Sequence, residues 1–158
     1  MKTLPIVTHP TPSLRVRSKE VDPAVIGTPD FQAYLEVLIE TMWKEDGVGL
    51  ASPQVGRNER IIVITKKGEA IVYINPEITK RSEATVTDEE GCLSVPGVWG
   101  LVERAKKVTV QALDRHGRRV TLDAKALEAV IFQHEIDHID GTLFIDKVKE
   151  FTRGTHVS

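Results

Sequence analysis

The chain has 158 residues, 41% of them hydrophobic and 28% charged, with a formal net charge of −2. That length suits one domain over 1–158 with a sizeable core, and the near-neutral balance carries no basic footprint for nucleic acid or an anionic membrane. No apolar run approaches the ~18 residues of a membrane span, the first residues lack the apolar stretch of a signal peptide, and a single cysteine permits no internal disulfide, so a cytoplasmic protein is expected.

Residues 1–28 carry Pro5, Pro10, Pro12, Pro23 and Gly27 and read as extended or turning chain, with one short helix near Ser13 to Lys19. Thr28-Pro29 pairs an N-capping residue with proline at the first helical position. Phe31, Leu35, Leu38, Ile39 and Met42 then recur at helical spacing and predict an amphipathic helix of about 15 residues that ends before Gly47. Arg60 to Thr65 and Ala70 to Asn75 are β-branched runs around Lys67-Gly68-Glu69, which predicts a hairpin of buried strands. Val108-Thr109-Val110 alternates, the turn Asp114-Arg115-His116-Gly117 follows, and Val120 to Leu122 forms another short strand. Asp123 reads as an N-cap for a last helix over Ala124 to Ile139, with Leu127, Ile131, His134 and His138 on one core-facing stripe. The expected class is α+β: antiparallel strands around this central helix, with the other helix N-terminal.

The last helix carries His134-Glu135-Ile136-Asp137-His138, an HExxH motif. Its two imidazoles stand one turn apart on one face and can grip one metal ion. Glu135 lies roughly 100° around the helix, where it can reach a metal-bound water. Two ligands seldom hold a catalytic metal, so the third decides the chemistry. The extended zinc-peptidase motif needs a histidine where Phe144 stands, and only Glu150 follows for the pattern that uses a downstream glutamate. The ligand is therefore sought upstream. Cys92, in Glu90-Gly91-Cys92-Leu93-Ser94-Val95-Pro96-Gly97, is the best candidate, because a thiolate binds borderline metals strongly. A free cysteine on its own is more often a small buried apolar residue. His9, His116 and His156 are rivals in a proline-rich start, a polar turn and a terminal tail.

Three segments occur in order: Gly47-Val48-Gly49-Leu50-Ala51-Ser52-Pro53-Gln54, then Glu90-Gly91-Cys92-Leu93-Ser94, then Gln133-His134-Glu135-Ile136-Asp137-His138. Together they resemble the signature motifs of peptide deformylases, metal-dependent hydrolases that take the formyl group from the N-terminal formylmethionine of newly made bacterial proteins. The resemblance covers nearly the whole chain, including Gly141-Thr142-Leu143-Phe144-Ile145-Asp146. It implies that Cys92, His134 and His138 bind one divalent metal, with iron(II) the physiological ion and zinc, nickel or cobalt also suited to the donor set. It further implies that Glu135 is the general acid/base, and that the Gln54 amide and the Leu93 backbone N–H serve an oxyanion site. The peptide is expected to lie extended beside Val48-Gly49 and the Pro96-Gly97 loop, with a methionine pocket lined by Val48, Leu127, Val130 and Ile131.

The implied partners are formylmethionyl nascent peptides near the ribosome exit, met by a monomer without direct nucleic-acid or membrane contact. Ser52 departs from the alanine usual in the family, and Trp99 stands where some members carry basic or polar residues. Arg104 is expected to pair with a carboxylate such as Asp46 or Asp137. The tail over 147–158 is short, whereas some members have a longer C-terminal helix implicated in ribosome docking. Two other readings are an HExxH metallopeptidase and an inactive metal-binding relative. Phe144 and the missing glutamate disfavour the first; intact Gln54, Cys92, Glu135 and both histidines oppose the second.

Overall fold

The computed structural model describes residues 2–154, and among them lie two α-helices and eight β-strands. Helix α1 runs over Pro29–Lys44 and starts where Thr28 Oγ1 accepts the Phe31 backbone N–H at 3.3 Å. This is the predicted cap, with Pro29 supplying the fixed φ of the first turn. Phe31, Leu35, Leu38, Ile39 and Met42 form its buried face, as their spacing requires.

Five antiparallel strands follow one another across the larger sheet: β1 (Gly49–Ala51), β2 (Ile61–Lys66), β3 (Glu69–Arg81), β6 (Lys107–Leu113) and β7 (Arg119–Lys125). The predicted hairpin is β2–β3. It closes through Lys67 and Gly68, both at positive φ (51° and 79°), which matches the twist of the paired strands. The smaller sheet has the order β4 (Thr85–Cys92), β5 (Val95–Ala105) and β8 (Val148–Arg153).

Helix α2 (Ala126–Ile139) packs against β1, β2 and β7 and reaches β5. Ile62, Ile64, Val108 and Val110 meet Phe132, Ile136 and Ile139 of α2 on one face of the larger sheet. Ile61, Val63, Val72 and Ile74 meet Leu35, Leu38 and Met42 of α1 on the other. Alternate residues of β2 thus serve two cores, which is why that strand is a continuous apolar run. The expected α+β class, with antiparallel strands around an HExxH helix, is the class found.

Three local expectations need correction. Where a short helix near Ser13 to Lys19 is expected, the chain makes only a 3-10 turn over Pro12–Arg15, after which Ser18 N–H donates to Ile139 O at 2.8 Å and fixes the chain as extended. Asp123 does not cap α2. It lies inside β7, where its carboxylate accepts the Thr109 hydroxyl at 2.7 Å, because the β6–β7 ladder continues to the Lys107–Lys125 pair. The helix therefore begins two residues later than predicted, at Ala126, behind a Lys125 that makes no side-chain cap. Of the expected tail, Val148–Arg153 is strand β8 on β5, while His156 lies outside the described residues.

Candidate active site

Two pieces of backbone bring the chemistry together. Cys92 ends β4, and His134 and His138 project from α2. One ligand atom from each of the three lies within 4.8 Å of the others, and Cys92 Sγ is 3.2 Å from His138 Nε2. His134 Nδ1 is committed to Glu90 Oε1 at 2.9 Å, which orients the ring and leaves its other nitrogen for a metal. One thiolate and two imidazoles at this separation fit a borderline divalent ion with an open coordination position. His116 sits in the exposed β6–β7 turn, and neither it nor His9 belongs to the cluster.

A buried charge network ties the two pieces. Arg104, on β5, donates from Nε and Nη2 to both Glu90 oxygens at 2.9 Å and from Nη1 to Asp137 Oδ2 at 2.6 Å. Glu90 precedes Cys92 by two residues, and Asp137 adjoins His138, so one guanidinium joins the strand with the thiol to the helix with the imidazoles. Of the two carboxylates expected for Arg104, Asp137 is its partner, with Lys147 Nζ also 2.9 Å from Asp137; Asp46 instead lines the cleft mouth.

The electrostatics follow from burial and these partners. Burial alone pushes the Glu90 carboxyl up, but its hydrogen bonds to Arg104 and His134 hold it at about 2. Burial likewise raises the Cys92 thiol, yet the charge of His138 and the His134 hydrogen bond bring it well below its ordinary 9.0. For His134 burial works downward and is outweighed by hydrogen bonds to Cys92 and Glu90, so it lies well above 6.5. Glu135 is pushed above its ordinary 4.5 by burial, and its Oε1 has no hydrogen-bond partner.

The residues around Glu135 explain the glycine-rich first motif. Gly49 faces it so closely that a Cβ there would stand 2.7 Å from Glu135 Oε2. Gln54 both caps its own turn and reaches the centre. Its Oε1 accepts the Ala51 N–H at 3.0 Å, while Nε2 donates to Ser94 Oγ at 3.2 Å and approaches Cys92 Sγ at 3.7 Å. The turn is pinned from behind: Tyr34 OH donates to Ser52 Oγ at 2.6 Å, since the Ser52 hydroxyl itself donates to Arg57 O.

A cleft of about 850 Å³ opens over this centre. Val48, Gly49, Gln54, Cys92, Leu93, Gly97, Leu127, Val130, Ile131, His134 and Glu135 all line it, so the sequence-selected site residues converge; His138 lies behind them, buried. Contrary to the expectation from periodicity, the α2 stripe is not core-facing throughout: Leu127 is 67% exposed because it borders the open cleft, as does Val48, which precedes β1 and is 56% exposed. Glu90, Ser94 and Gln133 stand in the second and third motifs, but the sequence reading assigned them no role. Gln133 braces α2 to β5 by hydrogen bonds with the N–H and C=O of Ala105. Membership of those motifs is the signal that could have found all three.

The sequence model of the family described as polypeptide deformylase matches residues 3–154. The chain belongs to the polypeptide deformylase family. Its membership makes it a metal-dependent hydrolase that removes the formyl group from N-formylmethionyl polypeptides. A peptide deformylase of Stenotrophomonas maltophilia is 42% identical over 156 residues, covering 97% of this chain and 91% of that protein. One from Xylella fastidiosa is 44% identical with the same coverage. Among solved structures, a peptide deformylase from Legionella pneumophila is 40% identical with a TM-score of 0.87, covering 94% of this chain and 87% of its own. A class I type b peptide deformylase from Acinetobacter baumannii, with Met-Ala-Ser bound, is 32% identical with a TM-score of 0.90, covering 93% and 99%.

Proposed function

We propose that Cys92, His134 and His138 hold the metal of this deformylase and that Glu135 moves the protons of the reaction, within one catalytic domain over 1–158. The observation that carries this is a buried carboxylate oxygen without a partner, beside three convergent metal donors, in the wall of an open cleft. A divalent ion in that donor set supplies positive charge that acidifies a water and polarises the formyl carbonyl. Glu135 takes the proton of the attacking water as its oxygen bonds to the formyl carbon. The same carboxyl then delivers a proton to the departing amine nitrogen, the C–N bond breaks, and formate leaves. The Gln54 amide N–H and the Leu93 backbone N–H are the donors for charge developing on the formyl oxygen; the Ala51 N–H fixes the Gln54 carbonyl end, so its NH2 is aimed in advance.

Peptide recognition rests on two sheet edges. β1 and β4 are both edge strands, and Gly49 of one and Gly91 of the other line the cleft. An extended peptide adds there through main-chain hydrogen bonds that are indifferent to most side chains. Val48, Leu127, Val130 and Ile131 supply an apolar wall for methionine, and Gly97 borders the chain beyond it. That an Acinetobacter baumannii relative of the same fold has Met-Ala-Ser bound supports a short methionine-led peptide as the occupant of the cleft.

Iron(II) is the proposed physiological ion, with zinc, nickel or cobalt accommodated by the same donors. The proposed setting is the cytoplasm near the ribosome exit, where formylmethionyl chains arise, with the protein acting as a monomer, a reading compatible with one chain supplying every site residue. The lone cysteine fits a reducing compartment, and no helix among the described residues is long and apolar enough to cross a membrane.

Formate release from formyl-Met-Ala-Ser, measured beside an unformylated N-blocked peptide, tests the reading. Formate from the first and no cleavage of the second is expected. Internal cleavage of the blocked peptide would mark a peptidase instead, but the position for a third histidine is filled by Phe144, whose ring stacks on His134 at 6.1 Å.

A further inference from the structure

The cleft wall away from α2 consists of bare backbone and one aromatic ring. Trp99 on β5 pairs with Gly91 on β4, and its ring lies flat enough on that glycine that a Cβ there would stand 2.5 Å from Trp99 Cε3. Trp99 is 37% exposed and borders the cleft with Gly97 and Val98.

What holds this wall comes from the end of β8. Arg153 is opposite Trp99 in register, and its guanidinium carbon lies 5.4 Å from the ring centroid, a cation–π contact. Thr152 donates its hydroxyl to Glu89 on β4, and Arg153 Nη2 is 4.0 Å from the same carboxylate. Residues 152 and 153 thus reach across β5 to the strand that forms the open edge of the cleft. Gly154, at φ +65°, then closes on the loop: a Cβ there would stand 2.4 Å from Gly97 O.

We propose that Thr152, Arg153 and Gly154 are positioning residues for substrate binding. They form a strap that sets Trp99 and the Gly97 loop as the wall for substrate residues after methionine. The proposal rests on the reading of this cleft as the peptide site. Exposed ion pairs and cation–π contacts contribute little to global stability, so the strap's loss alters the wall and not the fold. Its hydrogen bond, ion pair and ring contact go to Glu89 and Trp99 and not to Cys92, His134, His138 or Glu135, so metal binding and proton transfer are expected to be untouched.

The test uses the full chain carrying Trp43→Phe, which leaves Trp99 as the only tryptophan. Thr152→Val/Arg153→Met is compared with Arg153→Lys on formyl-Met-Ala-Ser and on formyl-Met amide, which has nothing beyond methionine. The double variant is expected to raise KM for the tripeptide roughly threefold to fivefold at nearly unchanged kcat, and to leave formyl-Met amide and metal content as they were. Its Trp99 emission is expected to shift to the red and quench more readily with acrylamide, and Arg153→Lys is expected to restore most of the binding. Unchanged KM with unchanged Trp99 emission would overturn the strap, as would equal losses on both substrates. Absence of formate from the parent protein would sink the deformylase reading instead, while Trp99 emission would still report on the strap.

Discussion

Replacing Arg104 by methionine probes how the two halves of the metal site are joined. Arg104, Glu90 and Asp137 are all buried, so the variant strands two carboxylates in the interior. The Glu90 carboxyl stands at about 2 against an ordinary 4.5. At about 1.36 kcal/mol per pH unit, that is roughly 3 kcal/mol of favourable interaction, shared between Arg104 and His134. Breaking a buried pair by removing one partner costs about 3–5 kcal/mol in general. Lys147 stays on Asp137 and softens that side, so a net loss of about 3 kcal/mol is expected. Urea unfolding of the metal-stripped protein measures it without the stabilisation a bound ion adds. Because Glu90 also orients His134, metal affinity is expected to fall about 10–100-fold. Arg104→Lys keeps the charge but not the two-pronged contact, so it recovers only part of both losses. A stability change below about 1 kcal/mol with unaltered metal affinity would refute the assigned role.

Gly49→Ala is expected to fold and retain its metal while kcat drops about 100-fold or more, because the new methyl group displaces the Glu135 carboxylate; steady-state formate release with metal analysis checks this, and a near-normal kcat would contradict it. Tyr34 is raised from 10.0 to about 12, chiefly by burial, so the folded state favours its neutral phenol. Its contribution is complete below pH 10 and is lost as pH rises towards about 12, a difference of roughly 2–3 kcal/mol. Tyr34→Phe should remove that alkaline loss, read as a smaller shift in urea midpoint between about pH 9 and about pH 11.5. With iron(II) bound, activity should decay during purification in air and persist under a reductant, through oxidation of the metal or of Cys92; equal activity in both would argue against an iron site.

The parts of the fold readable from sequence are those fixed by local rules. Thr28-Pro29 and the apolar spacing after it locate α1 closely, and Lys67-Gly68 locates a hairpin, since capping and left-handed turn geometry depend on neighbouring residues only. Asp123 misleads for the converse reason. It is a good cap by type, but cross-strand pairing with β6 holds it in an extended ladder that no local rule registers. Strand β8 is mostly exposed and β4 half exposed, and both are polar, with Asp88-Glu89 and Lys149-Glu150 among their residues, so they lack the alternation that marks half-buried strands.

At the site, HExxH fixes two ligands through helical spacing. Helical periodicity gives Leu127 a face but cannot say that this face meets an open cleft instead of a core. The Glu90–His134 contact spans 44 positions and the Arg104–Asp137 contact 33, distances over which only the folded topology brings groups together.

The central claim is that Cys92, His134 and His138 hold the metal and that Glu135 transfers the protons. Metal content and formate release, measured together on the parent, Cys92→Ala and Glu135→Ala proteins, test it most directly. The expected result is one bound ion and turnover for the parent, loss of the ion for Cys92→Ala, and a retained ion without turnover for Glu135→Ala. A Glu135→Ala protein that releases formate at a near-normal rate, or a Cys92→Ala protein that keeps its metal, would contradict the account.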